Sequence, residues 1–374
     1  MTVKITEFTT ELPQTDDFHS IVLNQTPLID VRAPIEFAQG AFNSATNLPL
    51  MNDHERQQVG LRYKEKGNAA AVELGHQLVS EQARAPRVEA WQDFIQQNPT
   101  ALLYCFRGGM RSKISQQWLQ DNGTNIVRLK GGYKAFRRYL IDFLEQVPSL
   151  FASRGIQPIV LAGRTGAGKT LVVKQIENTI DLEGLAHHRG SSFGGHATPQ
   201  PTQIDFENRL SMAFINFLET GHKALILEDE GRNIGSVNFS KDMFDFLKSG
   251  PHIIVETPLQ ERIDITLDEY VVEAQKEYST LEAWTEFMLA ALSRIQKRLG
   301  GERYQRVCQQ FEAANQLQIS TESIEGHRAW IESLLVEYYD PMYDYQMQKT
   351  DYPVLFKGSI QAVVEFIQSQ SKAS

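Results

Sequence analysis

The segment Gly163-Arg164-Thr165-Gly166-Ala167-Gly168-Lys169-Thr170 limits what this chain can fold into more than any other. It fits G-x-x-x-x-G-K-[ST] in full, and its context is the one the motif requires. Pro158-Ile159-Val160-Leu161-Ala162 reads as a buried strand before it, and residues 169–178 read as a helix after it. The glycines let such a loop fold back tightly, so that backbone N–H groups wrap a di- or triphosphate at the helix N-terminus. Lys169 then neutralises the outer phosphate, and Thr170 binds a magnesium ion where one is present. Residues 224–227 and 253–255 read as further buried strands, so the second half is a mostly parallel sheet. The strand Leu225-Ile226-Leu227 delivers Glu228-Asp229-Glu230 to the sheet's C-terminal edge, a Walker B-like arrangement in which Glu228 or Asp229 orients magnesium or water. The plainer alternative is an acidic surface turn.

The first half has the same alternation. Leu28-Ile29-Asp30-Val31, Ala101-Leu102-Leu103-Tyr104 and Ile126-Val127-Arg128-Leu129 read as strands. Residues 52–95 have helical spacing, and 133–144 carry Phe136, Leu140 and Phe143 on one helix face. Gln146-Val147-Pro148-Ser149 is the best linker, giving domains at 1–147 and 148–374 in a chain whose 374 residues suit two. From 258 onward the pattern is helical. Ser279 and Glu282 have capping-box spacing, Gly300-Gly301 close that helix, and Thr321 opens another that stops before Asp340-Pro341.

Tyr104-Cys105-Phe106-Arg107-Gly108-Gly109-Met110-Arg111-Ser112 follows a strand and opens a helix. Gly108 and Gly109 let the backbone curl so that its N–H groups point inward, the helix adds its positive end, and Arg107 and Arg111 add full charges. A cysteine in such a cradle ionises readily and acts as a nucleophile or carries sulfur or selenium as an anion. The alternative is an inert cysteine at a strand end.

The rest of this half resembles the rhodanese family. Leu28-Ile29-Asp30-Val31-Arg32, Pro34, Glu36-Phe37, Gly40, Ala45, Asn47 and Pro49-Leu50 match its opening motif, and Leu129-Lys130-Gly131-Gly132-Tyr133 its closing motif. The resemblance implies an α/β sheet with Cys105 as a persulfide-type carrier. Asp30 and Arg32 read as a fold-holding local pair. Arg111 stands six positions after Cys105, a spacing that also suits a rhodanese-like phosphatase of the cell-cycle type.

Charge bears on partners. The formal net charge is −9, yet Arg107, Arg111, Lys113, Arg128, Lys130, Lys134, Arg137 and Arg138 oppose only Asp121 between 105 and 140. That segregation favours a phosphate backbone beside Cys105, with Lys113, Arg128, Lys130, Lys134, Arg137 and Arg138 as candidate contacts; a solvated helix face is the alternative. Arg294, Lys297, Arg298, Arg303 and Arg306 form a second cluster. Tyr338, Tyr339, Tyr343, Tyr345 and Tyr352 suit a domain seam better than base stacking, and Cys308 suits mid-helix packing. His187-His188 lack a third ligand, so no metal site is expected. Two cysteines make neither a disulfide framework nor a four-cysteine zinc site. The polar start and the lack of a long apolar run point to a cytoplasmic chain that spans no membrane.

A rhodanese half joined to a phosphate-loop half resembles one family closely, the bacterial tRNA 2-selenouridine synthases. The likeness includes the Cys105 and Gly163–Thr170 loops, Glu228-Asp229-Glu230-Gly231-Arg232-Asn233-Ile234-Gly235, and Glu256-Thr257-Pro258-Leu259 with Arg262; Phe106 and Gly231 are mild variants. The resemblance implies a reaction on wobble 2-thiouridine in tRNAs for lysine, glutamate and glutamine. The sulfur is geranylated from geranyl diphosphate, then replaced by selenium from selenophosphate. It implies those two co-substrates, no tightly bound cofactor, and an enzyme that supplies selenophosphate. A nucleotide-dependent tRNA sulfurtransferase and a phosphatase or phosphate-sensing module stay open as alternatives.

Overall fold

The apolar runs build two separate, wholly parallel sheets. The computed structural model describes residues 12–79, 81–349 and 352–371. The first sheet holds β1 (Gln14–Thr15), β2 (Leu28–Asp30), β3 (Ala45–Asn47), β4 (Leu102–Tyr104) and β5 (Val127–Leu129), in the order β1-β5-β4-β2-β3. Its helices are α1 (Phe18–Leu23), α2 (Pro34–Phe37), α3 (Asp53–Leu78), α4 (Glu81–Gln97), α5 (Met110–Asp121) and the start of α6 (Gly132–Arg154). The second sheet has the order β11-β10-β6-β7, with β6 (Gln157–Ala162), β7 (Ala224–Glu228), β10 (His252–Val255) and β11 (Val354–Gly358). A small hairpin, β8 (Asn233–Ile234) and β9 (Val237–Asn238), follows β7. The remaining α-helices are α7 (Lys169–Val173), α8 (Leu182–Ala186), α9 (Gln203–Glu219), α10 (Lys241–Leu247), α11 (Leu259–Leu267), α12 (Leu281–Leu299), α13 (Gly301–Thr321), α14 (Arg328–Leu334), α15 (Asp340–Lys349) and α16 (Ile360–Ser371). The α/β architecture expected from the sequence is the one observed.

By compactness the chain divides into residues 1–145 with 202–216, and 146–201 with 217–374. A boundary at 147/148 assigns 202–216 to the second domain. The helix there joins the first unit because Ile215 is buried with Leu140 and Phe136, and Ser211 donates to the Leu140 carbonyl at 2.9 Å.

Five local expectations are corrected. The linker at 146–149 is helix: α6 continues through Pro148. Proline inside a helix costs about 3 kcal/mol. The stripe Phe136, Leu140, Val147 and Phe151 is almost fully buried, and each such side chain returns roughly 1.5–3 kcal/mol. The helix after the phosphate loop ends at Val173 rather than 178. The chain then turns onto the outer edge of β7: Ile226 N donates to Asn178 O at 2.8 Å, and Thr179 Oγ1 to Ile226 O at 2.9 Å. Pairing this edge satisfies backbone groups that more helix would leave open. The N-cap of α12 is Thr280, whose hydroxyl accepts from Ala283 N at 3.2 Å, not Ser279. Thr321 ends α13 instead of opening a helix, and the chain passes Asp340-Pro341 through a widened turn at Leu335–Tyr339. Finally, β11 breaks the helical C-terminal run. Val354-Leu355-Phe356 after Pro353 was its signal, and it pairs with β10.

Candidate functional site

Both loops sit at the C-terminal end of a parallel strand, where α/β sheets place ligands. Cys105 directly follows β4. Its thiol donates to Ser112 Oγ at 3.2 Å, and that hydroxyl donates to Gly109 O at 3.1 Å. The rhodanese-like closing segment braces the loop from behind. Tyr133 N donates to Cys105 O and Lys134 N to Phe106 O, both at 2.9 Å. Gly108, Gly131 and Gly132 have φ of +63°, +74° and +61°. A Cβ on Gly132 would stand 2.2 Å from Cys105 O and 2.5 Å from Gly108 N, so only glycine permits this approach.

Arg107 is exposed at the loop, with its guanidinium 5.8 Å from the Phe106 ring. Arg111 is already engaged. It grips Glu36 with two bonds, at 2.5 and 3.1 Å, and Arg56 approaches the same carboxylate at 3.6 Å. Arg111 holds the Glu36 carboxyl below its usual range although burial pushes the other way. The sequence reading named Glu36 only as part of a motif; here it positions Arg111. Asp30 and Arg32 form the expected buried pair. Arg32 Nε and Nη2 reach Asp30 at 2.6–3.0 Å, and the guanidinium lies 3.9 Å over the Tyr133 ring. Asn47 Nδ2 bonds Asp30 O and Arg32 O, which explains that residue's place in the motif.

In the second unit the loop from Gly163 to Thr170 joins β6 to α7. A Cβ on Gly166 (φ +76°) would meet Thr266 Oγ1 at 2.6 Å, and one on Gly168 (φ +84°) would meet Ile360 Cδ1 at 2.6 Å. Lys169 Nζ folds back to Gly163 O at 3.3 Å. Thr257 Oγ1 donates to Ala167 O at 2.8 Å, and Arg262 Nε to Thr165 O at 2.9 Å. Arg262 is itself held by Asp340 at 2.7 and 3.0 Å. Arg164, by contrast, is taken up by Asp340 and Asp344.

The two acidic candidates separate. Thr170 Oγ1 donates to Glu228 Oε1 at 3.0 Å, whereas Asp229 is paired with Lys248. Glu228 is 3% exposed, and its Oε2 has no partner. Burial pushes its carboxyl up to about 7 against the pull of Lys169. The sequence reading missed Glu183, at the start of α8, whose Oε2 lies 3.5 Å from the same Thr170 hydroxyl. Burial, then Glu228 and Glu230, push it higher still.

Comparison with known proteins fits both halves. A family described as "tRNA 2-selenouridine synthase AAA domain" matches residues 156–374, and "Rhodanese-like domain" matches 15–139. The tRNA 2-selenouridine synthase of Hydrogenovibrio crunogenus is 60% identical over 96% of this chain and 100% of its own length. The chain belongs to the tRNA 2-selenouridine synthase family. Synthases of that name from Sulfurovum sp. and Marinobacter nauticus are 54% and 47% identical over 96% of this chain, covering 99% and 98% of theirs.

In this tRNA 2-selenouridine synthase family member the basic residues after Cys105 divide by environment. Lys113, Lys130, Lys134 and Arg138 are exposed, with Lys130 against Asp16 and Arg138 against Asp142. Arg128 is 3% exposed, bonded to Gly108 O at 2.6 Å and Gln116 Oε1 at 3.0 Å. It is a brace of the cysteine loop, not a residue a polyanion reaches. Arg137 is turned to Glu207 and Asn208. In the second cluster Arg303 and Arg306 share Glu337, and Arg294 bonds Ser192 O. Tyr338 is buried, Tyr343 is half-buried and Tyr352 stacks on His252, while Tyr345 is 59% exposed. Cys308 packs against the helical core. Among the described residues no three His, Cys, Asp or Glu are grouped to hold a metal, and no helix is long and apolar enough to cross a membrane.

Proposed function

We propose that this protein converts wobble 2-thiouridine to 2-selenouridine in tRNAs for lysine, glutamate and glutamine, through an S-geranyl intermediate. The reading is carried by two braced anion loops, one bearing a thiol and one a lysine, in a chain of this family.

Geranyl transfer is assigned to the phosphate loop. The thiouridine sulfur bonds geranyl C1 as the C1–O bond to diphosphate breaks, and the N3 proton leaves with the diphosphate. Lys169 and the loop amides stabilise the charge that develops on the departing group. Thr170 and the unpartnered oxygen of Glu228 are hard oxygen ligands suited to magnesium, which would take its other ligands from phosphate and water. Lys169→Ala should abolish S-geranyl product and leave the fold intact. Unchanged geranylation would remove the assignment.

Selenation is assigned to Cys105, with Arg107, Gly108, Gly109 and Arg111 around the anionic donor. Selenium is at the selenide level in selenophosphate and in the product, so the step needs no oxidant. A Cys105–selenium bond formed from selenophosphate would need one. A redox-neutral path has Cys105 attack C2 as the C2–S bond breaks and geranylthiol leaves with the thiol proton. Selenophosphate selenium then displaces Cys105. Water takes the phosphoryl group as phosphate, and protons return to N3 and the thiol. Cys105→Ser should stop selenium incorporation and let S-geranyl tRNA accumulate, read by mass spectrometry of nucleosides. Full selenation by that variant overturns the role. Nucleotide hydrolysis with a sulfur product would instead mark a sulfurtransferase. A reducing cytoplasm, with an enzyme delivering selenophosphate, suits a free thiol at Cys105.

A further inference from the structure

Beside the Cys105 loop lies a cleft of about 760 Å3. Pockets of roughly 300–1,000 Å3 enclose most of a drug-sized ligand. Cys105, Arg107 and Arg111, with the Glu36 carboxylate that Arg111 grips, line it together with much of α3. The helical path of α3 breaks at Gly67 (φ +76°), and residues from both sides of the break line the cleft. The α3 wall is mixed: Arg56, Gln57, Lys64, Asn68 and His76 line it together with the apolar Val59, Leu61 and Val72. Ile114 and Trp118 line the same cleft, and Leu61 is 51% exposed. Two glycines, Gly60 and Gly75, also line it. A Cβ on Gly60 would meet nothing within 4 Å, and one on Gly75 only Val59 Cγ2 at 3.8 Å. Neither has a positive φ, so the fold does not require glycine there. Each costs helix stability of about 1 kcal/mol relative to alanine. The helix thus keeps open space, at its own expense, in a cleft that the buried thiol of Cys105 also lines.

An occupant must place a reacting atom at Cys105, an anionic group by the arginines, and a long hydrocarbon along α3. The S-geranyl reading supplies one molecule with all three features, and the inference rests on that reading. We propose that the cleft between α3 and the Cys105 loop holds the ten-carbon chain of the S-geranylated nucleotide during selenation, with the thioether sulfur at the thiol and the chain along Val59, Leu61 and Val72. The same cleft accepts the geranylthiol that leaves. The arm that transfers the chain from its diphosphate does not use it.

The test compares single-turnover selenation of tRNA bearing S-geranyl or S-dimethylallyl 2-thiouridine, with selenophosphate, by the full-length protein. Gly60→Leu adds a branched side chain at a position that lines the cleft while raising helix propensity. It should lower the geranyl-to-dimethylallyl rate ratio at least tenfold, whereas Gly60→Ala, whose Cβ meets nothing within 4 Å, changes it by less than about twofold. Leu61→Gln, at a half-exposed position, should lower the ratio in the same direction. Geranylation of 2-thiouridine tRNA by each variant should match the unaltered protein. A selenation ratio that none of the variants moves overturns the proposal. So does a loss confined to geranylation, which would place the diphosphate donor in the cleft instead. Absence of any geranylation or selenation by the unaltered protein strikes the proposed function rather than the cleft.

Discussion

Replacing Arg128 with leucine pits the surface role expected from sequence against the buried role observed. The substitution strips the donors from Gly108 O and Gln116 Oε1, bonded at 2.6 and 3.0 Å, in a residue 3% exposed. An orphaned buried acceptor costs about 1–3 kcal/mol, so two lose about 2–6, centred on about 4. At a urea slope of about 2 kcal/mol/M, a loss of about 4 kcal/mol lowers the unfolding midpoint by about 2 M. Hydrogen–deuterium exchange of the β4 and β5 amides in urea reads this in the first unit without interference from the second. Because Gly108 O belongs to the cysteine loop, selenation should fall while geranylation persists. The salt dependence of tRNA binding should stay as it was, since a phosphate contact would change the log–log slope by about 0.9. An unshifted midpoint, with weaker tRNA binding and a slope reduced by about that amount, would refute the reasoning and return Arg128 to the surface.

Lys134→Ala should behave oppositely, weakening tRNA binding and reducing the salt slope by about 0.9 with the unfolding midpoint unchanged; filter binding at several salt concentrations measures it. Asp30→Asn leaves a buried guanidinium without its countercharge and should cost about 3–5 kcal/mol, visible as early loss of first-unit exchange protection. Glu228, raised from 4.5 to about 7 in the folded protein, binds its proton more tightly folded than unfolded. Its contribution to stability is therefore complete below about pH 4.5 and is lost as pH rises through about 7. Glu228→Gln should flatten the fall in second-unit stability over that window, and a variant that retains the full slope would exclude Glu228 as its source. Gly132→Ala, with its Cβ driven against Cys105 O and Gly108 N, should stop selenation and lower expression more than Gly109→Ala, whose Cβ meets nothing within 4 Å.

Local pattern and tertiary placement contributed differently. Phosphate loop, cysteine loop and strands β2, β4, β5, β6, β7 and β10 were legible because each depends on short-range rules: apolar strands, glycines at positive φ, a helix start. The Asp30–Arg32 pair was legible for the same reason, its members two residues apart. The fates of the other charged residues were not. Arg111 binds Glu36 75 positions away, Arg164 binds Asp340 176 away, and Thr170 selects Glu228 over Asp229 58 positions on. Charge segregation counted along the chain could not distinguish Arg128 in the interior from Lys134 at the surface, because burial is a property of neighbours distant in sequence. The sequence by itself determined two parallel-sheet units, the anion-binding loop in each and the family to which the chain belongs. Only the tertiary structure decided which arginines are braces, which carboxylate meets Thr170, and that an open apolar cleft flanks the thiol, since these follow from how remote segments fill or leave space around one another.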